Sequence, residues 1–296
     1  MPAQPDREGT KLRIAVGIVT TGRAAVLAET VAELRRQTRP ADRLVVCGAA
    51  AADVAGIDPA GVILAPRGLS VQRNAVLAAA ADCDVVVFFD DDFLPAPGWL
   101  TAIEAVFVDH PDILAATGHV IADGIKGPGL SVAEGRALLR ADGGVGGEGL
   151  SAVYNAYGCN MALWVAPLRA HGLWFDAALP LYSWYEDIDL CRRLSPHGRI
   201  VRVPGARGVH LGTKLGRTSG VRLGYSQMVN PVYLARKGSF GWGRAVLSMA
   251  RNLAANLARW AVPEPWVDRR GRLRGNLLAL ADLCRGRVDP GRILSL

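Results

Sequence analysis

Asp90, Asp91 and Asp92 close the apolar run VVVFF, so a stretch that reads as a buried strand ends in three adjacent carboxylates. Neighbouring anions repel, which calls for something positive at the tip, and carboxylate oxygens suit a hard divalent cation such as Mg2+ or Mn2+. A solvated acidic turn, or a cap for a helix over 99–108, is the competing account. The immediate return to apolar residues in FFDDDFLPAPGWL weighs against it. Glu186 and Asp187 in WYEDIDL form a second acidic pair at the start of a short helix, where acids also act simply by opposing the helix dipole. Asp189 is assigned to pairing with Arg192 or Arg193, three and four residues on. His210 lies in VHLG with glycines at 208 and 212, open both to metal ligation and to a buried hydrogen bond with a backbone carbonyl.

These groups need elements to hold them. Residues 12–19, 44–47, 61–65 and 84–89 are short apolar runs and read as buried strands. Between them lie a helix carrying Leu27, Val31 and Leu34 at helical spacing and a second helix, capped by Ser70, with Arg73 and Asn74 in its first turn. Strands alternating with helices argue for a mostly parallel sheet covered on both faces, whose ligands bind beyond the carboxyl ends of the strands. The aspartates and TTGR (20–23) both fall at that edge. A helix over 99–108 and a strand over 113–120 follow. Residues 122–149 are glycine-rich and read as a long loop with room for a short helix at 133–140. A strand at 157–164, a helix at 185–194, a strand at RIVRV (199–203) and a glycine-broken segment holding His210 complete the pattern, which turns helical from about 240.

Taken in order, TTGR, GLSVQRNAVL, FFDDDFLPAPGWL, GCNMALW and WYEDIDLCRRLSPHGRIVRVPGARGVHLG resemble the motifs of glycosyltransferase family 2, inverting nucleotide-sugar glycosyltransferases with the GT-A fold. The resemblance runs over about 200 residues. It implies a Rossmann-like, mostly parallel central sheet flanked by helices, and a cation, Mn2+ or Mg2+, that offsets charge on a departing nucleoside diphosphate. On that analogy Asp92 is the direct metal ligand, with Asp90 and Asp91 on ribose or reaching the metal through water, and His210 completes the shell. The ED motif makes Asp187 the base that takes the acceptor proton, with Glu186 as reserve or acceptor contact. Thr20, Arg23, Arg73 and Asn74 fall on the donor side, Arg73 as a diphosphate partner. Trp184 and Trp164 can stack on a sugar or pack in the core. The chain has CGAA (47–50) where the family places an Asp-Asn-Ser-like stretch that reads the base, so UDP-, dTDP- and GDP-sugars all stay open as donors of a hexosyl or deoxyhexosyl group. The acceptor class, a glycan, a lipid-linked or a small molecule, stays open too.

The 296 residues suit one α/β domain with an appendage. Boundaries are expected at a disordered 1–11, a catalytic domain over 12–235 (nucleotide-sugar half 12–120, acceptor half 121–235) and a basic helical extension over 236–296. Residues 236–296 hold 12 Lys/Arg against 4 Asp/Glu, a net of +8, whereas the rest nets −1, so the charge of +7 belongs to the tail. Its helix 242–262 mixes Trp, Leu, Val and Met with arginines, as suits an anionic membrane surface, packing on the domain, or a homo-oligomer contact. No nucleic-acid motif accompanies the charge. Five scattered cysteines, a polar N-terminus and the lack of an 18-residue apolar run point to a cytoplasmic protein, free or peripheral on the inner membrane face. Two other functions compete: a sugar nucleotidyltransferase of the same fold, which would want a better phosphate loop than TTGRAAVL, and a non-catalytic membrane-associated protein.

Overall fold

The structure is a computed structural model and describes residues 11–144, 149–215 and 219–296. The expected disordered N-terminus falls, but for Lys11, outside the described residues.

Among the described residues, nine strands and nine α-helices follow one another in a βα order that is regular at first and then mixed. The first half comprises β1 (Ile14–Thr20), α1 (Ala24–Leu34), β2 (Arg43–Gly48), β3 (Val62–Leu64), α2 (Leu69–Ala79), β4 (Val85–Asp90), β5 (Phe93–Pro95), α3 (Trp99–Asp109) and β6 (Ile113–Asp123). Then come α4 (Val132–Ala141), β7 (Ser151–Ala152), β8 (Asn160–Trp164), α5 (Val165–Ala170), α6 (Glu186–Leu194), β9 (Arg199–His210), α7 (Gly220–Lys237), α8 (Trp242–Ala258) and α9 (Arg269–Cys284). The sheet runs β3-β2-β1-β4-β8-β6-β9-β5, with β7 on β9. β3, β2, β1 and β4 are mutually parallel, β8 enters antiparallel between β4 and β6, and β6 and β9 run parallel.

Buried apolar runs explain the central strands. All seven residues of β1 are buried, as are Val85–Phe89 of β4. Helices pack on the sheet through one stripe each, Leu27, Val31 and Leu34 on α1 and Trp99, Ile103 and Phe107 on α3. Phe89 stacks on Phe93 at 5.3 Å and meets Trp99 edge-on at 4.7 Å, locking the strand tip, the aspartate turn and α3 together. Each such ring contributes roughly 2–3 kcal/mol on burial, so the turn that carries the carboxylates is anchored to the core on both sides.

Several local expectations are corrected. Gly68, not Ser70, caps α2; Ser70 is buried inside the first turn, where its amide bonds the Ser183 hydroxyl at 3.2 Å. The short helix in the glycine-rich stretch exists as α4, started by a capping box between Ser131 and Glu134. Residues 145–148 of that loop lie outside the described residues. The glycine-broken segment is strand: β9 continues to His210, and Gly208 permits it because a Cβ there would sit 2.2 Å from the Phe93 ring. α7 has no clean helical signature in the sequence because Gly220, Gly224 and Pro231 punctuate it. It packs on α9, and Tyr225, Met228, Val229 and Ala279 form a separate core there. On α9 the buried stripe is Gly275, Asn276, Ala279 and Asp282, whereas the apolar Leu277 and Cys284 are exposed. Polar bonds take the buried side: Asn276 donates to the Gly224 carbonyl at 2.7 Å and the Tyr225 hydroxyl to Asp282 at 3.0 Å.

Candidate active site

Strand register builds the site. β4 ends at Asp90, and the turn delivers Asp92 directly before β5. β9 lies between β5 and β6, pairing His210 with Phe93 on one side and with Asp123 on the other. His210 is thereby held beside Asp92, with Nε2 at 3.4 Å from Asp92 Oδ1 and 3.9 Å from Asp90 Oδ2. One ligand atom from each of Asp90, Asp92 and His210 lies within 4.8 Å of the others. Two carboxylates and an imidazole, converging from different strands on the carboxyl edge of the sheet, fit a divalent cation in number and donor type.

The groups around the cluster fix it. His210 Nδ1 faces Asp123 Oδ1 at 2.9 Å, which orients the ring and leaves Nε2 for a ligand. Burial opposes charge on His210, but the bonds to Asp123 and Asp92 and the nearby Asp90 outweigh it and push the imidazole up to about 10. Asp92 Oδ2 accepts the Thr213 amide at 2.7 Å. Despite burial, His210, Arg23 and that amide hold the Asp92 carboxyl well below the usual carboxylate range.

Asp91 points elsewhere. It is fully buried, accepts the Thr20 hydroxyl at 2.6 Å and pairs with Arg23 at 2.6 Å. Its side chain therefore braces the β1 edge and stands outside the ligand cluster. Thr20 and Arg23 do line the cleft beside it, with Arg23 3.6 Å from Asp92. Arg73 is 1% exposed and does not reach the cleft. It donates to Glu186 at 2.6 Å, to Asp90 at 3.1 Å and to the Gly158 carbonyl at 2.7 Å, between the rings of Phe88 and Phe175. The guanidinium expected on a diphosphate is instead the strut between the two acidic clusters, because three oxygens already occupy it. Asn74 is likewise turned away, exchanging two bonds of 2.9 Å with the Phe175 backbone. Trp164 is core, edge-on to Phe107 at 5.4 Å.

Glu186 and Asp187 start α6. Burial and the adjacent Asp187 push Glu186 up to about 8, against the pull of Arg73. Asp187 Oδ2 accepts Asn155 and the Gly158 amide, each at 3.1 Å, and burial pushes this carboxyl up as well. Gly158 is needed there, since a Cβ would meet Glu186 at 3.1 Å and Arg73 at 3.2 Å. Asp189 faces inward to Arg193 at 2.6 Å, Lys237 at 2.9 Å and Ser239 at 2.6 Å. The segment leading into α6 is strained: Leu181, Ser183 and Tyr185 all have left-handed φ (57°, 49° and 77°), at a cost of about 1–3 kcal/mol each. Bonds from Leu69 N to the Leu181 carbonyl (2.8 Å), from Asn230 to the Trp184 carbonyl (2.9 Å) and between Tyr185 and Ser248 (2.5 Å) hold it.

A cleft of about 650 Å³ opens over Asp90, Asp92 and His210, with Tyr182 and Trp184 on one wall. Its rim carries Arg67, Lys126, Arg259, Arg269 and Arg272, cations drawn from three separate stretches of the sequence. Asp123 and Asp53 were also missed. Asp53 accepts the amides of Gly22, Ala49 and Ala50 at 2.7–3.0 Å and so ties the loops after β1 and β2 together. Asp123 has no distinguishing sequence signal because it acts through His210, 87 residues on, and the bond from Gly22 to Asp53 likewise spans 31 residues.

A parallel half-sheet whose carboxyl edge ends in an acidic, histidine-completed cluster under a basic cleft has the architecture of a GT-A glycosyltransferase. Residues 15–132 match the model of glycosyl transferase family 2, and the resemblance in the motifs holds over that segment. Among solved structures of similar fold, a mannosyltransferase from Pyrobaculum calidifontis in complex with GDP-Man and Mn2+ superposes with a TM-score of 0.51 at 18% identity, covering 92% of this chain and 87% of its own. GalNAc-T7 with UDP, GalNAc and Mn2+ gives 0.58 at 14%, covering 97% and 57%, and the 1–349 form of S. aureus TarS gives 0.52 at 14%, covering 93% and 92%. The match to the longer TarS chain covers 36% of it. No curated protein sequence matches the chain.

Proposed function

We propose that this protein is an inverting, cation-dependent glycosyltransferase that moves a sugar from a nucleoside diphosphate to an acceptor hydroxyl, in glycan, polysaccharide or glycolipid synthesis. The observation that carries the reading is the convergence of Asp90, Asp92 and His210 within 4.8 Å, at the carboxyl edge of a segment that matches the family. The Mn2+ complexes of two proteins of similar fold, with GDP-Man in one and with UDP and GalNAc in the other, support a nucleotide-sugar donor and Mn2+ as the cation.

Asp90, Asp92 and His210 would hold the cation, which when bound offsets the charge gathering on the leaving diphosphate. Asp123 keeps the His210 ring turned so that Nε2 faces the cluster. Arg23 and the rim arginines add positive potential where phosphate oxygens would lie. Arg73 joins Asp90 to Glu186 and so sets the spacing between donor and acceptor groups. Asp187 accepts the proton of the acceptor hydroxyl at a carboxylate oxygen; a carboxyl raised by burial is a stronger base than an exposed one. Attack from the acceptor side, opposite the leaving group, inverts the anomeric centre. Residues 12–120 serve the donor and 121–235 the acceptor in this reading, with Trp184 on the acceptor wall.

Nucleoside diphosphate release from a panel of UDP-, dTDP- and GDP-sugars with Mn2+ tests it. Asp92→Ala and Asp187→Ala are each expected to lose at least about 100-fold in kcat with the fold intact. Because Asp187 must be deprotonated to act and burial raises it, kcat/KM should rise with pH through a limb above the ordinary carboxylate range. A requirement for nucleoside triphosphate with pyrophosphate release would assign a nucleotidyltransferase instead, and an Asp187→Ala variant with wild-type turnover would move the base elsewhere.

A further inference from the structure

α8 presents two different faces. A narrow stripe, Ala245, Met249, Asn252 and Asn256, turns toward the rest of the molecule and is buried or half-buried. The opposite and wider arc holds Val246 (61% exposed), Leu247 (48%) and Leu257 (63%), with Ala250, Ala254 and Ala258 between them. An apolar arc of this width on an outer helix is the reverse of the usual pattern, in which polar residues take the solvent side. Tryptophans stand at both ends, Trp242 (54% exposed) at the start and Trp260 (51%) just past the end. Trp260 also borders a shallow groove with Leu273, Leu277 and Leu278 of α9.

The charge around the arc has one sign. Arg244 and Arg251 flank it on α8, and Arg270 and Arg274 stand beside the groove; all four are exposed. α8 contains no Asp or Glu, and among the described residues none of these four arginines forms an ion pair with a carboxylate. Arg244 lies over the Tyr154 ring at 4.1 Å and Arg270 over Trp260 at 5.8 Å, contacts that bring no opposing charge to either guanidinium.

We propose that the outer face of α8, with Trp260 and the groove beside it, docks on an anionic lipid bilayer in the plane of the headgroups. Apolar side chains enter the acyl boundary, tryptophans sit at headgroup level and arginines meet lipid phosphates. A second copy of the chain fits this face less well, because a two-fold contact would set the same arginines against one another. No helix among the described residues is long and apolar enough to cross a membrane, and α8 would lie in the headgroup plane. Docking would also bear on the cleft. Tyr185, next to Glu186, bonds Ser248 of α8 at 2.5 Å, and Arg259, one residue past the end of α8, lines the cleft. The inference does not depend on the transferase reading.

Co-sedimentation of the full chain with phosphatidylcholine vesicles, with and without about 30 mol% phosphatidylglycerol, tests it, alongside sedimentation velocity without lipid. Binding should need the anionic lipid and weaken as salt rises. Arg251→Glu should lower partitioning by at least about fivefold, and Leu247→Ser with Leu257→Ser should abolish it with thermal melting unchanged, these side chains being exposed. Absence of binding to anionic vesicles at low salt overturns the proposal. A dimer that Leu257→Ser dissociates, with no lipid binding, also overturns it and gives the face to a second copy.

Discussion

At the residue scale the site works by commitment: most of its charged groups are already engaged before any ligand arrives. Asp91 is spent on Thr20 and Arg23, Arg73 on Glu186, Asp90 and Gly158, and among the described residues Asp90, Asp92 and His210 are the group whose oxygens and nitrogen converge on a common point. Asp123 matters here although it touches no ligand position, because it holds His210 through Nδ1. Asp123→Asn should raise the Mn2+ concentration for half-maximal donor hydrolysis by roughly 10- to 100-fold, with much of the rate restored at saturating Mn2+. An unchanged metal requirement would show that the ring is oriented by packing alone. Three aspartates in a row were legible as a cation site; which of them turns inward was not, since neighbouring residues of a turn face different ways and only their partners decide.

The element scale is governed by β9. Its register places His210 opposite Phe93 and Asp123 at once, and a slip of one residue would turn the imidazole to the other face of the sheet. Gly208 keeps that register by letting the Phe93 ring lie against the strand. Gly208→Ala should cost about 1–3 kcal/mol by overpacking a buried ring, lowering the melting temperature by several degrees and, because β5 follows Asp92 directly, weakening Mn2+ binding in a titration of the purified variant. If melting drops while Mn2+ affinity stays as in wild type, β5 does not transmit the strain to the cluster. Strands β1, β2 and β4 were legible because they are buried on both faces and read as continuous apolar runs. β5, with three residues, and the glycine-rich end of β9 carry no such pattern, and tertiary pairing alone makes them strands.

Across the whole molecule, the cleft is a joint product of the sheet edge and the C-terminal helices. Arg259, Val267, Arg269 and Arg272 close over a site whose acidic groups come from β4 and the turn after it and whose histidine comes from β9. A ligand held by both parts should stabilise the fold by mass action. At a hundred times its Kd, a nucleoside diphosphate with Mn2+ would add about 2.7 kcal/mol, a shift of roughly 4–5 °C in melting temperature. Asp92→Ala should abolish the shift. No shift with UDP, dTDP or GDP would mean that the cleft binds something other than a nucleoside diphosphate.

The order of apolar runs and the acidic tips settled, without any structure, that an α/β sheet presents carboxylates at its ligand edge, because hydrophobic periodicity and charge repulsion are local properties of the chain. Which groups meet was decided only by folding. Arg73 and Glu186 are 113 residues apart, and Arg23 and Asp91 are 68 apart. Whether a cation ends beside a phosphate site or inside an ion pair depends on distances that no spacing along the chain encodes.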